Sequence, residues 1–206
     1  MKNMTIRQCV VGSVYTNCYF LMNQETKELL IVDPGDMPEK IIAMVETMQA
    51  VPTAILLTHG HFDHILAADE IRKKYKIPIY ASQKEEKLLL TPYMNLSQDS
   101  SLAADVFLAD DQTFEAGGFS IQMIATPGHT SGSCCYYFKE AGILISGDTL
   151  FQESVGRTDL PTGSGGQLGR SIKEKLMPLP DDTKVYPGHG DMTTIGHERA
   201  YNPFCS

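Results

Sequence analysis

The chain has 206 residues, 42% of them apolar and 20% charged, with a formal net charge of −8. That composition supports a sizeable core, excludes bulk disorder and fits one domain over residues 1–206. The acidic balance excludes a general nucleic-acid binder, because the densest basic run, Arg72-Lys73-Lys74 with Lys76, reads as the solvated face of a helix.

Three strands open the chain, at Thr5 to Val11, Cys18 to Met22 and Leu29 to Val32, each rich in β-branched or aromatic residues. Asp33-Pro34-Gly35 ends the third. A helix follows from Met37 to Met48, with Asp36 as its cap and Ile41, Ile42, Val45 and Met48 on one apolar face. Val51 to Thr58 is a strand, His64 to Lys76 a helix, and Ile77 to Ala81 a strand closed by Ser82. Lys84 to Leu90 is a short helix stopped by Pro92, and Asn95 to Ser101 an exposed loop.

The second half repeats the mixture. Val106 to Leu108, Thr113 to Phe114 and Phe119 to Ala125 read as strands, with Gly117-Gly118 as a hairpin turn. Ser133 to Phe138 and Gly142 to Ile145 flank Lys139-Glu140-Ala141. Val155 to Gly166 is a loop, Leu168 to Met177 a helix broken by Pro178 and Pro180, Lys184 to Tyr186 a strand and Ile195 to Tyr201 a last helical segment. Two sheets packed together with helices outside would bury this order of elements.

The five cysteines form no CxxC pair, and two of them are adjacent in a strand-like run. They read as small apolar fillers of a reduced protein. No apolar signal core follows Met1 to Arg7, and no apolar stretch reaches membrane-spanning length. The expectation is a cytoplasmic protein with no membrane partner.

The chemistry concentrates in Thr58-His59-Gly60-His61-Phe62-Asp63-His64, directly after the apolar run Ala54-Ile55-Leu56-Leu57. Three imidazoles and a carboxylate within six positions at a strand end are costly to hold together unless a cation binds them. Three more metal-type residues share one arrangement. His129 follows a strand and Pro127-Gly128, Asp148 follows a strand and Gly147, and His189 follows a strand and Pro187-Gly188. Glycine before each ligand permits a sharp turn and a close approach. Ligands at the carboxyl ends of strands converge on one edge. His197 lacks this context and reads as a surface histidine.

On these residues the chain resembles the metallo-β-lactamase superfamily, over almost its whole length. Thr126-Pro127-Gly128-His129-Thr130, Ser146-Gly147-Asp148-Thr149-Leu150-Phe151, Gly156-Arg157-Thr158-Asp159, Pro187-Gly188-His189-Gly190, and the tail with Thr193-Thr194-Ile195-Gly196 and Asn202-Pro203-Phe204 resemble the short bacterial members of its glyoxalase II group. The resemblance implies an α/β fold, the four-layer αβ/βα sandwich, with metals at one edge. It implies two divalent ions, zinc first with iron or manganese as alternatives. His59, His61 and His129 would hold one, Asp63, His64 and His189 the other, and Asp148 would bridge them. Asp148 replaces the cysteine of the true β-lactamases, which argues against antibiotic hydrolysis as the main role.

The activity implied is hydrolysis of a small acyl-thiol such as S-lactoylglutathione by a hydroxide bridging the metals, with Asp63 also accepting a proton. Arg157 is the candidate substrate contact, because a guanidinium grips a carboxylate bidentately; the competing role is a loop-fixing pair with Asp159. Longer glyoxalase II proteins carry a helical extension that helps hold glutathione. This chain stops soon after His189, which leaves the thiol carrier open. The main rival is a mononuclear iron persulfide dioxygenase, a group that commonly replaces the glycine before the last histidine, kept here as Gly188.

Overall fold

The computed structural model describes residues 3–205. β1 (Met4–Val11), β2 (Thr16–Asn23) and β3 (Glu28–Val32) form an antiparallel meander. α1 (Pro38–Met48) crosses back to β4 (Val51–Leu56), which lies parallel to β3. α2 (Phe62–Ile65) and α3 (Ala68–Tyr75) lead to β5 (Ile79–Ser82), again parallel. A 3-10 turn at Gln83–Glu85, α4 (Glu86–Leu90) and α5 (Pro92–Asn95) lead to β6 (Val106–Leu108), which completes the first sheet in sequential order.

The second sheet starts with the hairpin of β7 (Thr113–Ala116) and β8 (Phe119–Ala125), followed by β9 (Cys134–Phe138) and β10 (Ile143–Gly147). β11 (Leu150–Phe151) and β12 (Ser154–Val155) make a small separate ribbon. α6 (Gly165–Ser171) runs on into a π-helical turn at Ile172–Leu176. β13 (Lys184–Pro187) joins parallel to β10, β14 (Thr193–Thr194) pairs beside it, and α7 (Ile195–Tyr201) closes the chain. The strand order of this sheet is β14-β13-β10-β9-β8-β7.

The period-two alternation of side chains assigns each strand face to a layer. In β2, Tyr19 and Leu21 point between the sheets, where Leu30, Leu56, Ile121, Met123, Tyr136 and Ile145 meet them. Cys18, Phe20 and Met22 point outward, against Ile41 and Val45 of α1 and Ile71 of α3. On the far side, Ile124, Cys135, Tyr137 and Leu144 pack under Leu168, Ile172, Leu176 and Ile195. The layers therefore run helix, sheet, sheet, helix. Strands buried on both faces read as the continuous apolar runs seen in the sequence, and each fully buried Leu, Ile or Phe contributes roughly 1.5–3 kcal/mol. All five cysteines are unpaired and buried in these layers. Among the described residues no helix is long and apolar enough to cross a membrane.

Several elements differ from the sequence pattern, each for a local reason. The single helix expected over His64 to Lys76 is broken after Ile65, because the amide of Ala67 bonds to the carbonyl of Pro34 at 3.0 Å. Asp36 does not cap α1. Met37 takes that position at φ 56°, Pro38 supplies the first helical φ, and Asp36 Oδ1 accepts from the Met37 amide instead. Asn95 is not in an exposed loop. It is fully buried, and its amide donates to the carbonyls of Leu89 and Ser100. The short pairs β11–β12 and β14 carry too few residues for a periodic signal.

Hydrogen bonds also tie the two sheets at one edge. The Asn17 side chain donates to the carbonyls of Pro187 and Gly190, both at 3.0 Å, and its amide to Gly188 at 2.7 Å. Tyr19 Oη donates to the same Pro187 carbonyl at 2.7 Å.

Candidate metal centre

That edge holds the carboxyl ends of β3 and β4 in one sheet and of β8, β10 and β13 in the other. β4 delivers His59 and His61, and the single turn of α2 turns Asp63 and His64 inward. β8 delivers His129, β10 Asp148 and β13 His189. The residues fall into three overlapping groups: His59 with His61 and His129, His59 with His64 and Asp148, and Asp63 with His64 and His189. Within each, the candidate ligand atoms lie within 4.8 Å of one another. His61 Nδ1 faces His129 Nε2 at 2.9 Å. Asp148 Oδ1 lies 3.4 Å from His64 Nε2, while its Oδ2 lies 3.6 Å from His129 Nε2 and 3.5 Å from His189 Nε2. Asp63 Oδ2 is 3.4 Å from His64 Nε2 and 3.3 Å from His189 Nε2.

The donor set fits divalent cations. Burying polar atoms without partners is costly, yet His59 Nε2, His64 Nε2 and Asp148 Oδ1 are buried and have no hydrogen-bond partner. Imidazole nitrogens and carboxylates in this proportion suit zinc and also iron or manganese.

Electrostatics divides the centre. Burial pushes His59 well below the ordinary histidine value, with His64, His129 and His61 adding to the effect. Burial lowers His61 to about 3, helped by His129 and His64. This half offers neutral nitrogens. Burial opposes charge on His64 too, but Asp63, Asp148 and Asp33 outweigh it and raise its pKa. His189 is likewise raised to about 9, where the carboxylates of Asp148 and Asp63 overcome burial. This half draws positive charge.

Outer partners fix these candidate ligands in place, as a metal-binding histidine would require. His64 Nδ1 bonds Asp33 Oδ2 at 2.9 Å, and Asp33 also accepts from the amide and hydroxyl of Thr58. His129 Nδ1 donates to the carbonyl of Arg157 at 2.8 Å. Thr16 donates its hydroxyl to Asp63 Oδ2 at 2.7 Å. Sequence reasoning missed Asp33, Thr58 and Thr16. Asp33 stands at a strand end as several candidate ligands do, but it precedes its Pro34-Gly35 rather than following a glycine, so the pattern did not mark it. Thr16 carried no signal. Ser133 serves the turn after His129, where its hydroxyl accepts the Thr130 amide. His197 stands apart, bonded to Glu153.

Gly188 shows why glycine precedes the last histidine. A Cβ there would lie 2.2 Å from Asp148 Oδ1 and 2.8 Å from His64 Cε1. The Arg157 guanidinium is exposed and forms a two-bond fork with Asp159, Nε to Oδ1 and Nη2 to Oδ2, each at 2.7 Å.

The fold and this cluster of histidines and carboxylates define a metal-dependent enzyme of the sandwich type. The model of the metallo-beta-lactamase superfamily matches residues 11–189, and the chain belongs to that superfamily. It is 42% identical to the probable metallo-hydrolase YqgX of Bacillus subtilis, over 96% of each chain. It is 35% identical to the hydroxyacylglutathione hydrolase GloC of Haemophilus influenzae, over 98% of each. Among solved structures, the BLEG-1 B3 metallo-beta-lactamase superposes with a TM-score of 0.93 at 42% identity, covering 98% of this chain and 100% of that one. The di-iron-bound form of TTHA1623 gives 0.84 at 33%, covering 96% and 99%. ETHE1 of Myxococcus xanthus gives 0.82 at 28%, covering 97% and 84%. The membership and these relatives support a metal-dependent hydrolase.

Proposed function

We propose that this protein is a binuclear metal-dependent hydrolase of thioesters, with zinc the first candidate metal and a small acyl-thiol of the S-lactoylglutathione type as substrate. The observation that carries the reading is Asp148. One of its oxygens faces His64 and the other faces His129 and His189, which suits a carboxylate shared between two ions. His59, His61 and His129 would hold one ion, and Asp63, His64 and His189 the other. Two such ions would lower the pKa of a water toward ~7 and would polarise an acyl oxygen. The 35% identity to GloC supports the substrate class.

The chain's own residues supply the rest. Asp63 is the group we assign to take up a proton. Although burial opposes its ionisation, His64, His189 and the Thr16 hydroxyl hold its pKa below the usual carboxylate range, so it stays ionised, the state a metal ligand and a proton acceptor both require, while the same shift makes it a weak base. The departing thiolate is a good leaving group and needs no protein acid. We read residues 1–206 as one domain and the protein as cytoplasmic, in keeping with its five unpaired cysteines.

Elemental analysis of protein purified without added metal, combined with a panel of thioesters, a persulfide and a β-lactam, tests this reading. Two ions per chain and turnover of thioesters are expected. The β-lactam belongs in the panel because BLEG-1 is described as a B3 metallo-beta-lactamase. A single iron per chain with persulfide turnover would replace the reading with the mononuclear dioxygenase, which the likeness to ETHE1 also fits.

Arg157 is the side chain we assign to a substrate carboxylate. Its carbonyl is anchored on His129 while its guanidinium stays exposed. The incoming carboxylate must then displace Asp159. Arg157→Lys is expected to raise KM for anionic thioesters and leave neutral ones unchanged, because a point charge cannot reproduce the fork. Equal losses on both would assign the fork to the loop alone.

A further inference from the structure

Among the buried carboxylates that the mechanism leaves unused, Glu85 lies beside the centre, on the 3-10 turn Gln83–Glu85 that follows β5. It is 1% exposed. Its Oε1 accepts the Gly60 amide at 2.9 Å, and its Oε2 accepts the Thr130 hydroxyl at 3.1 Å. The Gly132 amide donates to it as well. Among the described residues no Lys, Arg or His forms an ion pair with it. Burying a carboxylate without a cation is costly, and burial pushes Glu85 up to about 7 although these three donors pull the other way.

The partners are what give the residue its meaning. Gly60 lies between His59 and His61, and Thr130 directly follows His129. The three donors therefore sit on the two loops that present three imidazoles to one point. These loops lie tightly on the Gln83–Leu90 segment. A Cβ at Gly132 would stand 2.3 Å from Glu85 Oε2 and 2.5 Å from Glu85 N. A Cβ at Gly60 would stand 2.8 Å from Leu89 Cδ2 and 2.9 Å from Leu88 Cδ2. We infer that Glu85 is a positioning residue, whose carboxylate clamps the His59–His61 loop to the His129 loop and so sets the geometry of the three-histidine metal position. This rests on the binuclear reading above.

The role separates from plain structural support by its selectivity. Glu85→Gln keeps the shape and still accepts from Gly60, but its amide group meets the Gly132 amide donor to donor. The loops should part slightly while the acidic half, built on Asp63, His64 and His189, is untouched. Removing a partner bonded directly to a metal ligand typically costs 10–100-fold in affinity; Glu85 acts one residue further out, through Gly60 and Thr130, so the low end of that range applies. Zinc titration of the metal-stripped protein against a competing chelator should resolve two ions in the wild type. In Glu85→Gln one of them should weaken about tenfold, with the other unchanged and the melting temperature of the metal-free protein close to wild type.

If the variant melts lower but binds both ions with wild-type affinity, or loses both equally, Glu85 is structural and the inference fails. Should Glu85→Gln not fold, Thr130→Val, which removes one donor and keeps the shape, should show a smaller selective weakening; no change there overturns the inference equally. A wild type that takes only one ion would instead overturn the binuclear reading, and Glu85 would then be judged on that ion alone.

Discussion

Asp148→Asn is expected to weaken both metal positions at once. The asparagine keeps the shape of the side chain but loses the charge that offsets two cations, and its amide nitrogen cannot serve as a ligand. The loss at each position should exceed the ~10–100-fold that removal of an outer partner costs. Turnover should fall with it. Metal bound at one hundred times its Kd stabilises a folded protein by about 2.7 kcal/mol, so the variant's melting temperature in zinc should move toward that of the metal-free wild type. Elemental analysis after dialysis decides the point. An asparagine variant that retains full metal at both positions would show that Asp148 is not shared between them.

Gly188→Ala is expected to separate the two positions. The new methyl carbon would lie 2.2 Å from Asp148 Oδ1 and 2.8 Å from His64 Cε1, closer than unbonded atoms sit, and neither neighbour is the free end of a flexible chain. The backbone of Asp148 is held closely by Gly156, where a Cβ would stand 1.8 Å from the Asp148 carbonyl oxygen. His64 is pinned by Asp33. Forcing a methyl into such a place costs typically 1–3 kcal/mol. The protein should fold, lose the ion of Asp63, His64 and His189, and keep the ion of His59, His61 and His129. Metal content near one per chain with a modest fall in melting temperature is the expected result. A content near two would mean that the centre yields more easily than its packing implies.

Much of this centre was legible in the sequence because each loop of candidate ligands follows an apolar strand, and His61, His129, Asp148 and His189 each follow a glycine. Three independent loops with one local pattern can converge only if the strands run the same way. The inner and outer strand faces were not legible, because a segment such as Cys18–Met22 is apolar throughout and buried on both faces. What stayed hidden depends on partners distant along the chain. Glu85 looked like an ordinary residue of a short helix, because its donors arrive from Gly60, Thr130 and Gly132. Asp33 passed as the end of a strand, because His64 lies 31 positions away. The break between Ile65 and Ala68 was unreadable, since it depends on the Pro34 carbonyl capturing one amide. Thr16 carries no unusual neighbours at all and gains its role only through Asp63.

The pair formed by Asn17 and Tyr19 has a mechanical consequence. Both side chains grasp the Pro187 carbonyl, and Asn17 spans onward to Gly188 and Gly190. The loop that presents His189 is thus riveted to the opposite sheet as firmly as to its own strand. The mouth of the sandwich behaves like a jaw bolted at a fixed gape, and the sheets cannot part without dislodging a candidate ligand. Room for an incoming molecule at this edge must then come from the tips of the loops. The turn at Gly12–Tyr15 leads directly into Thr16 and carries the exposed side chains of Val14 and Tyr15. It is there, rather than in the breathing of the two halves, that the size of what this edge admits is set.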